Sequence, residues 1–300
     1  MESRATREIA CTSWDDFKAR VHMDYAEEMM GVSPLFRGHA SMEWKLASPW
    51  DRKLEKWAKS ERARSRSSSD HLLDKILRDF KELSVGLPGL KSRELEDLDW
   101  LALGRHFGLV TPLLDWTKSP YVASFFAFTG FAELVSPGVT VSGDIEPRSF
   151  LQLGSSEPVA VWALMVDDNL KNAKELEVLN PRIDIGQRQR AQRGLFTRLT
   201  HNEHFDIESY LSSLELQEAP LRKYLIPAWE VSRVLTELRM MNITFATLFP
   251  DLEGAAMQAN FESVAFTLMA FSLVRRDAWV TANEAGAMET AHNTVAPADA

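Results

Sequence analysis

The sequence predicts an α+β fold, one domain in which a split pair of small sheets is wrapped by helices. Short apolar runs supply the strands: Leu35-Phe36 before Arg37-Gly38, a run over 160–166, Leu195-Phe196 after Gly194, and Leu221 through Ile226. Longer segments with apolar residues at helical spacing lie between them. A chain of 300 residues, 45% hydrophobic and 26% charged, is ordinary for a soluble globular protein and long enough for one large domain or two smaller ones.

Taken in order, residues 12–31 read as a first helix. Thr12 or Ser13 caps it, Asp15 and Asp16 suit its first turn, and Gly31 suits its end. Ser33-Pro34 reads as a turn, and Leu35-Phe36-Arg37-Gly38 as a short buried strand ending at glycine. Arg37 then has two readings, a guanidinium presented to a ligand beside an open backbone or the partner of a core carboxylate. Pro49-Trp50 reads as a second turn. Residues 52–66 carry seven Lys or Arg against two Glu. They suit a solvated helix face running into a loop over 65–69, or an arm that contacts nucleic-acid phosphates. Asp70 suits the cap of a helix with Leu72, Leu73, Ile76, Leu77 and Phe80 on one side, stopped at Gly86-Leu87-Pro88-Gly89. Another helix covers about 94–107.

Residues 105–128 are the densest stretch. Arg105-His106-Phe107 opens it, an apolar segment runs over 109–114, and Asp115 through Pro120 reads as a turn. Ser119-Pro120 marks the start of a helix over 120–134 that is apolar nearly all round and therefore belongs to the core. Residues 136–150, rich in Gly, Ser and Pro, suggest a loop or insertion, and 167–177 a helix or turn. Five arginines lie between Arg182 and Arg198. A strand ended by Pro227 leads to a helix up to Met241, and a turn over 248–254 leads to a last helix over about 254–274. The tail 281–300, polar and Ala-rich, is expected to be disordered, leaving 1–280 as one domain with an N-terminal helical part.

The net charge of -9 does not mark a general nucleic-acid binder, though it is compatible with a local basic groove. A lone cysteine, Cys11, provides neither a disulfide framework nor a cysteine-rich zinc site. His201 and His204 flank Glu203 too sparsely for a metal centre, so no metal is expected. There is no Gly-x-Gly-x-x-Gly, Walker loop, His-Glu-x-x-His or Gly-x-Ser-x-Gly. An enzyme with this inventory works by binding and polarising a reactive cofactor rather than through a covalent intermediate. The first ten residues hold no signal-peptide core. The longest apolar run, 121–135, contains Glu133 and falls short of the roughly 20 residues that span a bilayer. A cytoplasmic protein with no membrane partner is expected.

Several short motifs occur in a fixed order. They are Leu35-Phe36-Arg37-Gly38-His39; Trp44 with Ser48-Pro49 and Arg52; Arg105-His106-Phe107-Gly108-Leu109; Leu113-Leu114-Asp115-Trp116-Thr117; and Gln192-Arg193-Gly194-Leu195-Phe196. Together they resemble the FRG domain family, and the resemblance runs over about 13–260. The same order more distantly resembles the ADP-ribosyltransferase fold, which implies NAD as cofactor. That resemblance implies that Arg37 and Gly38 hold the NAD phosphate and the nicotinamide amide, with Thr117 supporting the site and Trp116 and His106 completing the cofactor-binding set. It further implies Gln192 as the late catalytic residue, or Glu203 in place of the family's glutamate. Asp115 is the third catalytic candidate, holding a ribose hydroxyl or charge on the sugar; a helix cap or a salt bridge to Arg37 or Arg105 is its other reading. The implied activity is transfer of ADP-ribose to a macromolecular acceptor, RNA or protein with RNA slightly favoured by the basic runs, as a bacterial toxin or phage-defence effector with an antitoxin or other inhibitory partner. The alternative from a different class is a non-catalytic module that binds a nucleotide or a protein.

Overall fold

A computed structural model describes residues 5–28, 31–59, 67–87, 95–135, 158–171, 173, 175–180, 187–200, 204–214, 216, 218–263 and 268. The loop expected over 136–150, the end of the last helix, the tail over 281–300 and Glu203 lie outside them. The elements in order are β1 (Thr6–Ala10), α1 (Trp14–Glu28), β2 (Ser33–His39), α2 (Pro49–Ala58), α3 (Ser67–Leu83), α4 (Asp97–His106), β3 (Leu114–Thr117) and α5 (Pro120–Val135). They continue with β4 (Val159–Val166), α6 (Asp168–Lys171), β5 (Leu176–Leu179), α7 (Gln187–Ala191), β6 (Gly194–Leu199), α8 (Ile207–Ser213) and β7 (Leu221–Ile226). A 3-10 turn leads into α9 (Val231–Met240), α10 (Phe245–Leu248) and α11 (Leu252–Glu262).

The seven strands form one sheet in the order β1-β7-β4-β2-β3-β6-β5. Only β1 and β7 run parallel; the other neighbours are antiparallel. The α+β class holds, and the expected pair of small sheets is corrected to one sheet. The reason lies at β2 and β3, which pair through a single register position, Phe36 opposite Thr117. That contact joins four strands on one side to three on the other.

Three further readings are corrected. The helix expected over 12–31 is present as α1, whereas Pro49-Trp50, read as a turn, instead opens α2. Asp115-Trp116-Thr117 is part of β3 and not a turn, because its backbone pairs with Gly194 through Phe196 on β6. Of the stretch 167–177, expected as helix or turn, α6 fits that reading, but residues 176 and 177 belong to the edge strand β5. The central strand β4 is buried at all eight positions, as the unbroken apolar run Val-Ala-Val-Trp-Ala-Leu-Met-Val requires when both faces are covered.

Alternation assigns the two faces. Phe36, Val161, Ala163 and Tyr224 pack under α1, α5 and α9 with Trp14, Phe17, Phe128 and Val234. Leu35, Trp116, Trp162 and Leu195 pack on the other face with Leu46, Ile207, Tyr210 and Leu211. A smaller cluster of Leu77, Leu101, Ala102, Leu113 and Phe196 seats α3 and α4 near β3. Helix α5 is the core helix expected, and it lies against β2 backbone to backbone. A Cβ on Gly38 would sit 1.9 Å from the Ala123 carbonyl oxygen and 2.7 Å from the Ala127 amide nitrogen. Among the described residues no helix is long and apolar enough to cross a membrane.

Gly38→Ala therefore has to push main chain apart, and a loss of about 3 kcal/mol in unfolding free energy is expected. Gly130→Ala on the same helix meets only the Ala40 Cβ at 3.2 Å and should change stability by no more than about 1 kcal/mol. Urea denaturation of both variants checks the pair; equal losses would contradict the close approach at Gly38.

Candidate functional site

Where β2 and β3 diverge after their one paired position, the Arg37 side chain crosses the gap. Its Nη1 donates to the Asp115 main-chain oxygen at 2.7 Å and lies 3.7 Å from the Asp115 Oδ2. The guanidinium thus supplies a hydrogen bond where the sheet lacks a main-chain rung. On its other side Nε donates to His39 Nε2 at 3.0 Å. Arginine has no acceptor, so His39 Nε2 must carry the lone pair and Nδ1 the proton, which reaches the Trp44 carbonyl at 3.1 Å. Burial, then the charge of Arg37, holds His39 well below the ordinary 6.5, in the neutral state this geometry needs.

A second guanidinium reaches the same carboxylate from α4. Arg105 Nε and Nη2 contact Asp115 Oδ2 at 3.3 and 2.9 Å. The Asp115 side chain remains 44% exposed and that of Arg37 21%. Desolvation pushes the Asp115 carboxyl up, but Arg105 and Arg37 outweigh it and hold it below the usual carboxylate range. Burial brings the Arg37 guanidinium down to about 10, with Arg105 and Arg52 adding to the fall and Asp115 opposing it. Arg105 and Arg52 thus both act on Arg37, and the single carboxylate of Asp115 faces two guanidinium groups. The excess at the half-exposed carboxylate is positive and suited to a polyvalent anion. Both salt bridges considered for Asp115 from the sequence are present at once.

The other predicted residues have more local duties. Thr117 Oγ1 donates to the Gln192 carbonyl at 2.7 Å and accepts from the Ser119 amide at 3.1 Å. The structure thus joins Thr117 to Gln192, through the main chain of residue 192. The Gln192 side-chain amide donates to the Leu248 carbonyl at 3.2 Å. Trp116 is buried, and its Nε1 donates to Thr197 Oγ1 at 2.8 Å, so the indole is not open for stacking. Gly38 presents its missing side chain to α5. His106, at the end of α4, is exposed, its ring 5.1 Å from that of Phe107. Burial and then Arg188 lower its pKa, with Asp251 and Glu253 opposing. Arg188 itself is clamped by Asp251 and Glu253, both at 2.6 Å. Burial pushes the Cys11 thiol up to about 12, so it is no nucleophile at neutral pH. Sequence reading left Arg105 and His39 out of the site. Their signal was present in Arg-His-Phe-Gly and Arg-Gly-His, each ending or beginning beside an element that meets β3 or β2.

His39 carries a pH signature. Its folded pKa lies below the unfolded value, so the unfolded chain takes the proton first, and stability falls as pH drops through and below 6.5. Glu208, pushed up by burial to about 7, titrates with the opposite sign between its ordinary 4.5 and that value. The contribution is therefore read as the difference between wild type and His39→Gln. Unfolding free energies measured from pH 7.5 down to 5 should converge as the pH falls; a constant difference would contradict a neutral His39.

Comparison with known proteins adds one finding. Residues 33–133 match the family model described as the FRG domain. The match runs from β2 into α5 and takes in Arg37, His39, Arg52, Arg105 and Asp115, while Gln192 lies outside it. No curated protein matches the chain, and no solved structure does. Through residues 33–133, the segment that builds the seam and its arginines, the chain carries an FRG domain.

Proposed function

We propose that this chain is an ADP-ribosyltransferase-like enzyme, with a core of that type, which takes NAD and transfers its ADP-ribosyl group to a macromolecular acceptor. The observation that carries the reading is the convergence of Arg37 and Arg105 on half-exposed Asp115, with Arg52 near enough to act on Arg37. An excess of guanidinium charge at a sheet seam suits the pyrophosphate of a dinucleotide, since each planar fork can offer two parallel donors to phosphate oxygens. NAD supplies the ADP-ribosyl group, with nicotinamide as a good leaving group.

In this reading Arg37 and Arg105 bind and orient the pyrophosphate. The Asp115 carboxylate is ionised at neutral pH because two cations face it; it accepts from a ribose hydroxyl and stabilises positive charge developing on the sugar. His39 holds the Arg37 fork by taking its Nε–H. Thr117 and the chain at Gln192 fix the end of β3, which sets where Asp115 stands. The proposed setting is the cytoplasm, as a bacterial toxin or phage-defence effector held by an inhibitory partner; that part rests on the resemblance of the motifs alone.

One observation favours a second reading, a non-catalytic module that binds a nucleotide at the same arginines. The Thr117 hydroxyl and the Gln192 amide are both engaged within the protein. The experiment separates the two. Nicotinamide release from labelled NAD is followed with mixed RNA and protein acceptors, and ADP-ribose binding is measured by calorimetry. Asp115→Asn should lower release by at least about 100-fold while ADP-ribose binding survives. Arg37→Lys should weaken binding itself, because a point charge cannot replace the fork. Binding without release from the wild type would leave the module and remove the enzyme.

A further inference from the structure

Helix α2 begins beside the arginine cluster and leads away from it along the surface. Ser48 and Asp51 form its capping box, and Pro49 takes the first helical position. Trp50 and Asp51 are buried. The 3.6-residue period then places Lys59, Arg52, Lys56, Lys53 and Trp57 side by side on the outer surface, where all five are exposed. Trp57 is 46% exposed, and Trp44, in the loop just before the helix, is 41% exposed. Lys45 and Lys59 share Glu55, at 3.3 and 2.9 Å. Lys53 and Lys56 have no carboxylate partner among the described residues. This basic stripe stands on a chain whose net charge is -9.

The stripe is tied to the seam at both of its first contacts. The Trp44 carbonyl accepts from His39, and His39 accepts from Arg37. Arg52 lies near enough to bear on Arg37 and donates to the Ala47 carbonyl at 2.7 Å. The start of α2 and the seam are thus connected through His39.

We infer that the outer face of α2, with Trp44 and Trp57, is a docking surface for single-stranded RNA, the acceptor of the reaction proposed above. The inference rests on that reading for the word acceptor and on the surface alone for the binding. Lysines and an arginine in a row attract consecutive phosphates, and exposed indoles stack on bases without regard to sequence. Stacking needs bases out of a duplex, which selects a single strand. An acidic peptide would satisfy the lysines and leave both indoles unused.

The test uses the full chain and a fluorescein-labelled single-stranded RNA of about 12 nucleotides, a length within the range of site sizes known for single-strand-binding folds. Anisotropy is read across a salt series. Wild-type affinity should fall linearly in log–log form. Lys53→Gln/Lys56→Gln should reduce the slope by about 1.4, roughly 0.7 for each phosphate that is no longer neutralised. Trp57→Ala should weaken binding roughly 10-fold with the slope unchanged. Absence of binding, a slope that the lysine variant does not change, or equal affinity for the duplex form overturns the inference. So does an acidic peptide that competes with equal affinity and loses as much in Trp57→Ala. Nicotinamide release without RNA is measured in parallel, and the lysine variant should leave it unchanged. RNA binding with no release keeps this surface and removes the catalytic reading; release with no RNA binding does the reverse.

Discussion

The interaction on which the rest depends is the hydrogen bond from Arg37 to the Asp115 main chain. A sheet that narrows to one register pair would come apart at that point if nothing else bridged the strands. The guanidinium bridges them, but a side chain is a longer and more polar link than a peptide rung. It brings charge into the sheet, needs His39 neutral beside it, and draws the Asp115 carboxylate toward itself. Arg105 arrives from α4 on the same carboxylate. The structural weakness and the candidate site are one place for a physical reason: splayed strands expose polar main chain, and the groups recruited to satisfy it remain half open to solvent.

The packing around the seam keeps it from closing or widening. Gly38 lets α5 lie directly on β2, and Phe36 beside it is fully buried among aromatic residues of α1 and α5. The Thr117 hydroxyl anchors the far end of β3 to the chain before β6. The Gln192 and Arg188 side chains then pass that anchor to the segment after α10, where Arg188 lies 5.1 Å over the Phe249 ring. Motifs distant in sequence, near 37, 115, 192 and 250, are thus linked by contacts that each involve a main-chain group or a charge pair.

Much of this was legible in the sequence where a single property dominates. The all-apolar run after Ser119-Pro120 could only be a core helix, and the run over 160–166 read as a strand, though one of mixed burial where β4 is buried throughout. Strands β1 and β5 were not legible, because each is a short edge with at most one buried residue and no long apolar run. Strand β3 was read as a turn since Asp115, Thr117 and the flanking prolines are turn formers; tertiary pairing with β6 overrides that preference. In the site, the Asp115 pairing was legible because opposite charges announce themselves. The Thr117 to Gln192 link was legible in its partners and not in its chemistry, since a carbonyl acceptor leaves no trace in residue identity. Arg105 was legible as an ion-pair partner of Asp115 and not as a site residue, as it sits on a different element and meets Asp115 only after the chain has folded.

The most direct measurement of the account is nitrogen-15 NMR of the arginine side chains during titration with ADP-ribose. The Arg37 Nε–H is held by His39 and shielded enough to be observed. The account predicts that the Arg37 and Arg105 resonances shift together and saturate at one ligand equivalent, while Arg188, clamped by Asp251 and Glu253, stays in place. Resonances of Arg37 and Arg105 that remain unmoved at saturating ligand would contradict it.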